Sequence, residues 1–141
     1  MIVVTGGSGF LGRHVVGALA AGEVPVRALD LRFGDDFAES APGVEMLRGD
    51  FLDGDFLRPA LAGADTVVHL ASKNVDHDGS GFEQVNVEGT RRLCAVAAAA
   101  GVRRLIYVSS VGIYGHGVHS DADESTPVRP DTPFSRSKAA A

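Results

Sequence analysis

Thr5-Gly6-Gly7-Ser8-Gly9-Phe10-Leu11-Gly12 is the stretch of this chain best suited to holding an anion. Gly7, Gly9 and Gly12 satisfy G-x-G-x-x-G, and Gly6, Gly9 and Gly12 satisfy the looser G-x-x-G-x-x-G. A diphosphate needs donors at close range. The first turn of a helix supplies unpaired backbone N–H groups and a partial positive charge. Side chains at such a turn would hold the phosphates away, so glycine belongs there. Asp30 lies 18 residues beyond Gly12, near the offset of about 20 expected for an acid that accepts from ribose hydroxyls. Together these residues have the chemistry of a dinucleotide site.

Such residues must be held by a strand, a helix and a second strand. Ile2-Val3-Val4 is a β-branched run that reads as a buried parallel strand. Leu11, Val15 and Leu19 then recur every four residues, with Val16 and Ala20 broadening the stripe. Gly22 stands where a left-handed residue would end that helix. Val24 to Leu29 reads as a second strand, closed by Asp30. The whole is one βαβ unit with a dinucleotide fingerprint. Asp30 would accept from ribose hydroxyls and repel a 2′-phosphate, favouring NAD over NADP. Arg32, two residues on, offers the opposite preference.

The 141 residues suffice for one domain, expected to span 1–141, and 45 % of them are hydrophobic. A formal charge of −5 carries no basic footprint for nucleic acid. The chain's one cysteine, Cys94, can form no internal disulfide and reads as a buried, inert thiol. No apolar run of 18 residues suggests a membrane span. Met1 leads straight into the first strand, and a cytoplasmic location is expected.

Further along, Arg32 to Gly43 reads as a connection with a helical turn around Phe37 and Ala38, and Val44 to Arg48 as a third strand. Asp50 follows at the carboxyl end of that strand, where an acid can reach a ligand, while Asp53 is assigned as a helix cap. Asp65 to Ser72 is a fourth strand entering a loop, with small residues at Ala71 and Ser72. His69 within it reads as packed rather than as a ligand. Lys73 to Gly81 is a polar loop. Phe82 to Gly101 is the longest helix, with Val85, Gly89, Leu93 and Ala97 on one face and Gly101 ending it. Near its start Asn86 offers an amide able to bridge two loops. Arg103 to Ser109 is a fifth strand. Gly112, Gly115 and Gly117 then loosen the backbone. His116, His119, Asp121 and Asp123 match no zinc spacing, and no metal is expected. Asp121 to Pro133 should run extended. Thr132 and Pro133 open a final helix. Alternating strands and helices predict a doubly wound parallel α/β sheet of the Rossmann type. Its expected order is 3-2-1-4-5, with the ligand above strands 1 and 4.

These residues resemble the extended short-chain dehydrogenase/reductases, the NAD-dependent epimerase/dehydratase group, almost end to end. Thr5 to Gly12 is similar to that group's phosphate loop, Gly49-Asp50 to its adenine-contacting turn, and His69-Leu70-Ala71-Ser72 to its fourth-strand motif. Asn86-Val87-Glu88-Gly89-Thr90 resembles its central-helix signature, and Val108 to Gly115 its catalytic-serine segment. Glu124 to Pro133 resembles the extended run before the active-site helix.

The resemblance implies cofactor contacts at Gly6, Gly7, Gly9, Phe10, Leu11 and Gly12, and at Asp30, Arg32, Asp50 and Phe51. Further contacts are implied at Leu70, Ala71, Ser72, Asn86, Ser109 and Lys138. It implies that Ser110 orients the substrate. It also implies a Tyr-x-x-x-Lys pair, in which the tyrosine exchanges a proton with a substrate hydroxyl. The lysine of that pair holds the nicotinamide ribose and lowers the tyrosine pKa. Lys138 is in place, but the tyrosine position holds Phe134, which has no exchangeable proton. Tyr114 and His116 are nearby substitutes in sequence. Family enzymes usually continue past this helix into strands that form most of the substrate pocket, so the chain reads as truncated before that part. The implied activity is that of an oxidoreductase on a nucleotide sugar or related alcohol or ketone. The alternative is a non-catalytic NAD(P)-binding sensor or subunit. The helices at Phe82–Gly101 and after Phe134 are implied to form a homodimer face.

Overall fold

The computed structural model describes residues 1–75, 80–117 and 122–141. They fall into two compact units, Met1–Ser72 with Arg92–Val108, and Lys73–Arg91 with Ser109–Ala141.

The first unit is built on five parallel strands: β1 (Ile2–Thr5), β2 (Val26–Asp30), β3 (Glu45–Arg48), β4 (Thr66–His69) and β5 (Arg104–Tyr107). Their order is β3-β2-β1-β4-β5, as the alternation of elements predicts. The register sets Thr5 beside Leu29 on one side and beside His69 on the other. Three helices lie between the first four strands: α1 (Phe10–Ala20), α2 (Phe37–Ser40) and α3 (Gly54–Ala60). After β4 come a short turn α4 (Ser80–Phe82), a π-helical segment (Glu83–Glu88) and α5 (Gly89–Ala99), which continues into the first unit.

Strand side chains alternate between faces, and that alternation divides the core. Val3, Leu29 and Val67 pack with Leu57 of α3, with Leu61 just beyond it, and with Leu93 and Ala97 of α5. Val4 and Ala28 turn the other way, onto Val16 of α1, Phe37 and Ala41. Both faces of the central strands are therefore covered, which explains why Ile2 to Val4 of β1 are all apolar. On the edge strand β3, Glu45 and Met46 are exposed, and Glu45 accepts a 2.8 Å bond from Arg27 of β2.

Several local expectations change. In α1 the buried positions are Gly12 and Val16, whereas Leu11 is exposed. The helix is turned so that its glycine, not its leucine, meets the preceding turn. That helix closes on Ala21 in a right-handed conformation, with the Gly22 N–H donating to the Leu19 carbonyl, so Gly22 takes no left-handed shape. Gly101 does, with φ +76°, and ends α5 as expected. The stripe from Phe82 to Gly101 predicts ordinary helix throughout, but Glu83–Glu88 is π-helical, its hydrogen bonds spanning one residue more per turn. Cys94 is exposed, not buried. On a helix each residue advances about 100°, so with Leu93 and Ala97 turned to the core, Cys94 is carried out of it.

Two neighbouring positions on α5 separate these environments. Leu93→Ala is expected to lower unfolding free energy by about 2–5 kcal/mol, while Cys94→Ala changes it by less than about 0.5 kcal/mol. Urea unfolding followed by circular dichroism measures both, and equal losses would contradict the placement of the helix.

Candidate functional site

The turn after β1 is shaped by what it lacks. Gly6 has φ +69°, and a Cβ there would stand 2.6 Å from the Ala71 backbone nitrogen. A Cβ at Gly7 would lie 2.9 Å from the Ala28 side chain, and one at Gly12 would overlap the Gly6 carbonyl oxygen. Gly12 therefore serves close approach of α1 to the turn itself. Gly9 precedes α1 in an extended conformation, and no side chain caps the helix. The first turn of α1 carries no acid. A helix start with no side-chain cap and no acid in its first turn suits a diphosphate. Phe10 is 85 % exposed, its ring edge against His14, and Leu11 is also exposed.

Ser8 joins this turn to the tip of β2. Its N–H donates to Asp30 Oδ2 at 3.0 Å, and its hydroxyl donates to the Arg32 carbonyl at 2.5 Å. Asp30 Oδ1 accepts from the Leu31 N–H at 2.8 Å. Each carboxylate oxygen can accept a second bond, so Asp30 keeps capacity for a diol while bracing the loop. In the turn after β3, Asp50 is exposed and accepts from the Leu52 N–H, and the Phe51 ring packs edge-on against His69 at 5.2 Å. Asp53 caps α3 through the Asp55 N–H, as assigned. Beyond β4, Leu70 and Ala71 are half-buried and Ser72 is exposed. His69 itself is 1 % exposed and packed as expected. Thus Gly6 to Gly12, Asp30, Arg32, Asp50, Phe51 and Leu70 to Ser72 all lie in the first unit, at or beyond the carboxyl ends of β1 to β4.

Asn86, Ser109, Ser110, Phe134 and Lys138 belong to the second unit. Its last helix, α6 (Pro133–Ala140), begins as its sequence predicts. Thr132 accepts from the Ser135 N–H, and the Ser135 hydroxyl accepts from the Thr132 N–H, a closed capping box with proline in the first turn. Asn86, in the π-helical segment, is 2 % exposed. Its carbonyl accepts from the Lys73 N–H at 2.7 Å, and its NH₂ donates to the Lys73 carbonyl and to the Ser137 hydroxyl, each at 2.9 Å. Ser137 in turn donates to the Phe134 carbonyl at 2.7 Å. The amide does bridge, tying the Lys73 backbone to α6. Phe134 packs edge-on against Phe82, with ring centroids 5.9 Å apart. Lys138 is only 4 % exposed, and burial pushes its ammonium down to about 8.

Ser109 is exposed, and the Ser110 hydroxyl accepts from the Gly112 N–H at 3.1 Å. That bond caps a 3₁₀ turn, Val111–Tyr114, so a segment expected to be loosened by its glycines is locally ordered. Gly115 then adopts φ +83°, where a Cβ would overlap the Arg129 carbonyl oxygen. The His116 N–H and ring both reach Asp131 Oδ2, at 2.7 and 2.5 Å, and hold that carboxyl below the usual range. His119 and Asp121 lie outside the described residues, among which no three His, Cys, Asp or Glu side chains form a metal group. Among the described residues no helix is long and apolar enough to cross a membrane. The π-helical turn is the feature of this site that sequence reasoning missed. Its one trace is a polar amide at a position followed by the buried helical residues Val87 and Gly89.

The sequence profile of the NAD dependent epimerase/dehydratase family matches residues 2–141. The chain is 39 % identical to sterol demethylase protein B of Methylococcus capsulatus over 97 % of its own length and 43 % of that protein. It is 38 % identical to dTDP-glucose 4,6-dehydratase of Streptomyces griseus over 98 % of its length and 46 % of that protein. A crystal structure of a short-chain dehydrogenase/reductase superfamily protein from Agrobacterium tumefaciens, with bound NAD, superposes with a TM-score of 0.85 at 38 % identity. That match covers 99 % of this chain and 42 % of the other. The chain thus spans less than half the length of these relatives.

Lys138 supplies a direct check. With a folded pKa of about 8 against about 10.4 when unfolded, the folded chain binds fewer protons between those values. Its stability should therefore rise with pH across that window. Lys138→Met should abolish the rise, read from urea unfolding at a series of pH values. A ¹³C-lysine NMR titration of the parent should give a Lys138 midpoint of about 8, and an ordinary lysine midpoint would refute the buried placement.

Proposed function

The chain belongs to the NAD dependent epimerase/dehydratase family, and on that premise we propose that it binds NAD as part of an oxidoreductase. The substrate class is a nucleotide sugar or a related alcohol or ketone. The observation that carries the cofactor reading is the glycine turn, where Gly6, Gly7 and Gly12 admit no side chain and Ser8 is hydrogen-bonded to Asp30. An anionic diphosphate takes the amide end of α1, and Asp30 takes the adenosine ribose hydroxyls. A carboxylate there repels a 2′-phosphate, which favours NAD over NADP; the NAD bound to the Agrobacterium protein agrees with that preference. The dTDP-glucose dehydratase among the relatives supports the nucleotide-sugar class.

When bound, NAD supplies a hydride acceptor for a substrate carbinol carbon. Lys138 holds the nicotinamide ribose, and Ser110 orients the substrate oxygen. Asp50 and Phe51 border the adenine, Leu70 to Ser72 offer small residues to the cofactor, and Asn86 anchors the helix that carries Lys138. What this set lacks is a proton acceptor at position 134. A positioned acid or base typically contributes about 10²–10⁴-fold, and phenylalanine contributes none of it.

One observation favours a second reading, a non-catalytic NAD(P)-binding sensor or subunit. Phe134 is packed against Phe82 as an apolar residue, so α6 is settled without a hydroxyl there. The two readings share cofactor binding and divide on turnover.

Calorimetry should detect NAD binding to the unmodified chain and to Phe134→Tyr alike, with NADP weaker in both. Incubated with NAD and dTDP-glucose or UDP-glucose, Phe134→Tyr should form NADH at least about 10²-fold faster than the unmodified chain. Equal rates would remove position 134 from the proton path. Tighter NADP binding would overturn the cofactor assignment.

A further inference from the structure

Thr5 and His69 stand side by side in the register of β1 and β4, both almost fully buried. Thr5 Oγ1 and His69 Nδ1 are 2.6 Å apart. The Ala71 N–H also points at Thr5 Oγ1, at the long distance of 3.4 Å. Among the described residues the Thr5 hydroxyl meets these two groups only. An amide N–H can only donate, so the hydroxyl proton has a single acceptor open to it, His69 Nδ1. That choice puts the imidazole proton on Nε2 and makes the ring neutral. The chain of donors then runs in one direction, Ala71 N–H to the Thr5 hydroxyl to His69 Nδ1.

The far end of this chain touches the phosphate turn. The Ala71 nitrogen is the atom that a Cβ at Gly6 would approach to 2.6 Å, and the Leu70 N–H is bonded to the Thr5 carbonyl at 3.1 Å. The Phe51 and Tyr107 rings pack against the imidazole, at 5.2 and 5.8 Å. We propose that Thr5 and His69 form a proton-ordered relay, which fixes the Ala71 backbone against the Gly6 turn and makes His69 a positioning residue for the dinucleotide. The inference rests on the reading that this chain binds NAD. His69 touches no cofactor in it; it acts through Thr5 and Ala71. A protonated Nδ1 would compete with the Ala71 amide for the same hydroxyl oxygen and leave the buried hydroxyl proton without its acceptor.

Two measurements test this on the full chain. A ¹H–¹⁵N correlation spectrum of the His69 ring, recorded without any cofactor, should report the Nε2–H tautomer; an Nδ1–H ring would overturn the relay. NAD affinity by calorimetry should fall about tenfold in His69→Phe, which keeps the ring shape without the acceptor, and by as much in Thr5→Val. His69→Asn places an amide oxygen at the Nδ1 position and should stay within about threefold of the parent. The double variant should bind no worse than either single one, because both remove the same link. Parent-like affinity in folded His69→Phe and Thr5→Val would overturn the positioning role while leaving NAD binding in place. If His69→Phe does not fold, Thr5→Val alone decides. An unmodified chain that binds no NAD would overturn the functional reading and the positioning role together, with the tautomer spectrum still reporting the relay itself.

Discussion

Exclusion of side-chain volume at one turn is the constraint on which this molecule's site depends. The carbonyl of Gly6, the backbone of Gly7 and the first turn of α1 are packed so closely that a single methyl group at Gly12 has nowhere to go. This packing brings the amide end of α1 back over the end of β1. The strands then supply what the turn cannot. Asp30, at the tip of β2, fastens Ser8, and the Ser8 hydroxyl fastens Arg32. The acid suited to a ribose is thus also part of the scaffold that shapes the phosphate turn. In the proposed reading, one side chain serves both the ribose and the scaffold.

The second unit solves a different problem with polar rather than apolar means. A π-helical turn leaves a backbone that is wider and less regular than an α-helix. Asn86 compensates by placing a buried amide whose three hydrogen bonds reach Lys73 and Ser137. Burying an amide is tolerable only when its bonds are made, and here they join two segments distant in sequence. The same network ends at the Phe134 carbonyl. The backbone at position 134 is therefore tied into α6 by a bond that does not involve the Phe134 side chain.

Much of this is legible in the residues, because some features have only one physical use. Glycines spaced as Gly7, Gly9 and Gly12 between a β-branched run and a helical stripe, followed by Asp30, leave few alternatives, and the strand order follows from alternating elements. The capping box on α6 is half visible: Thr132 and Pro133 announce the helix, but reciprocal bonding by Ser135 depends on where its hydroxyl turns in space. Other features are opaque for physical reasons. Cys94 sits in an alanine-rich stretch where almost any face could be the buried one, so composition points inward and rotation about the helix axis points outward. Gly22 looks like a left-handed stop, yet Ala21 closes the helix first. The π-helical turn, six residues long, is too short to show a periodicity of its own in the sequence. The Thr5–His69 pair is hidden because strand register, not sequence distance, brings the two together.

The outward turn of Cys94 has a practical side. The chain contains no other sulfhydryl, and this one is accessible on α5, in the unit that also holds the glycine turn. A maleimide dye would therefore attach at one defined point, on none of the groups assigned to ligand binding. That gives the native sequence a built-in handle for fluorescence or surface immobilisation, with no engineered residue required.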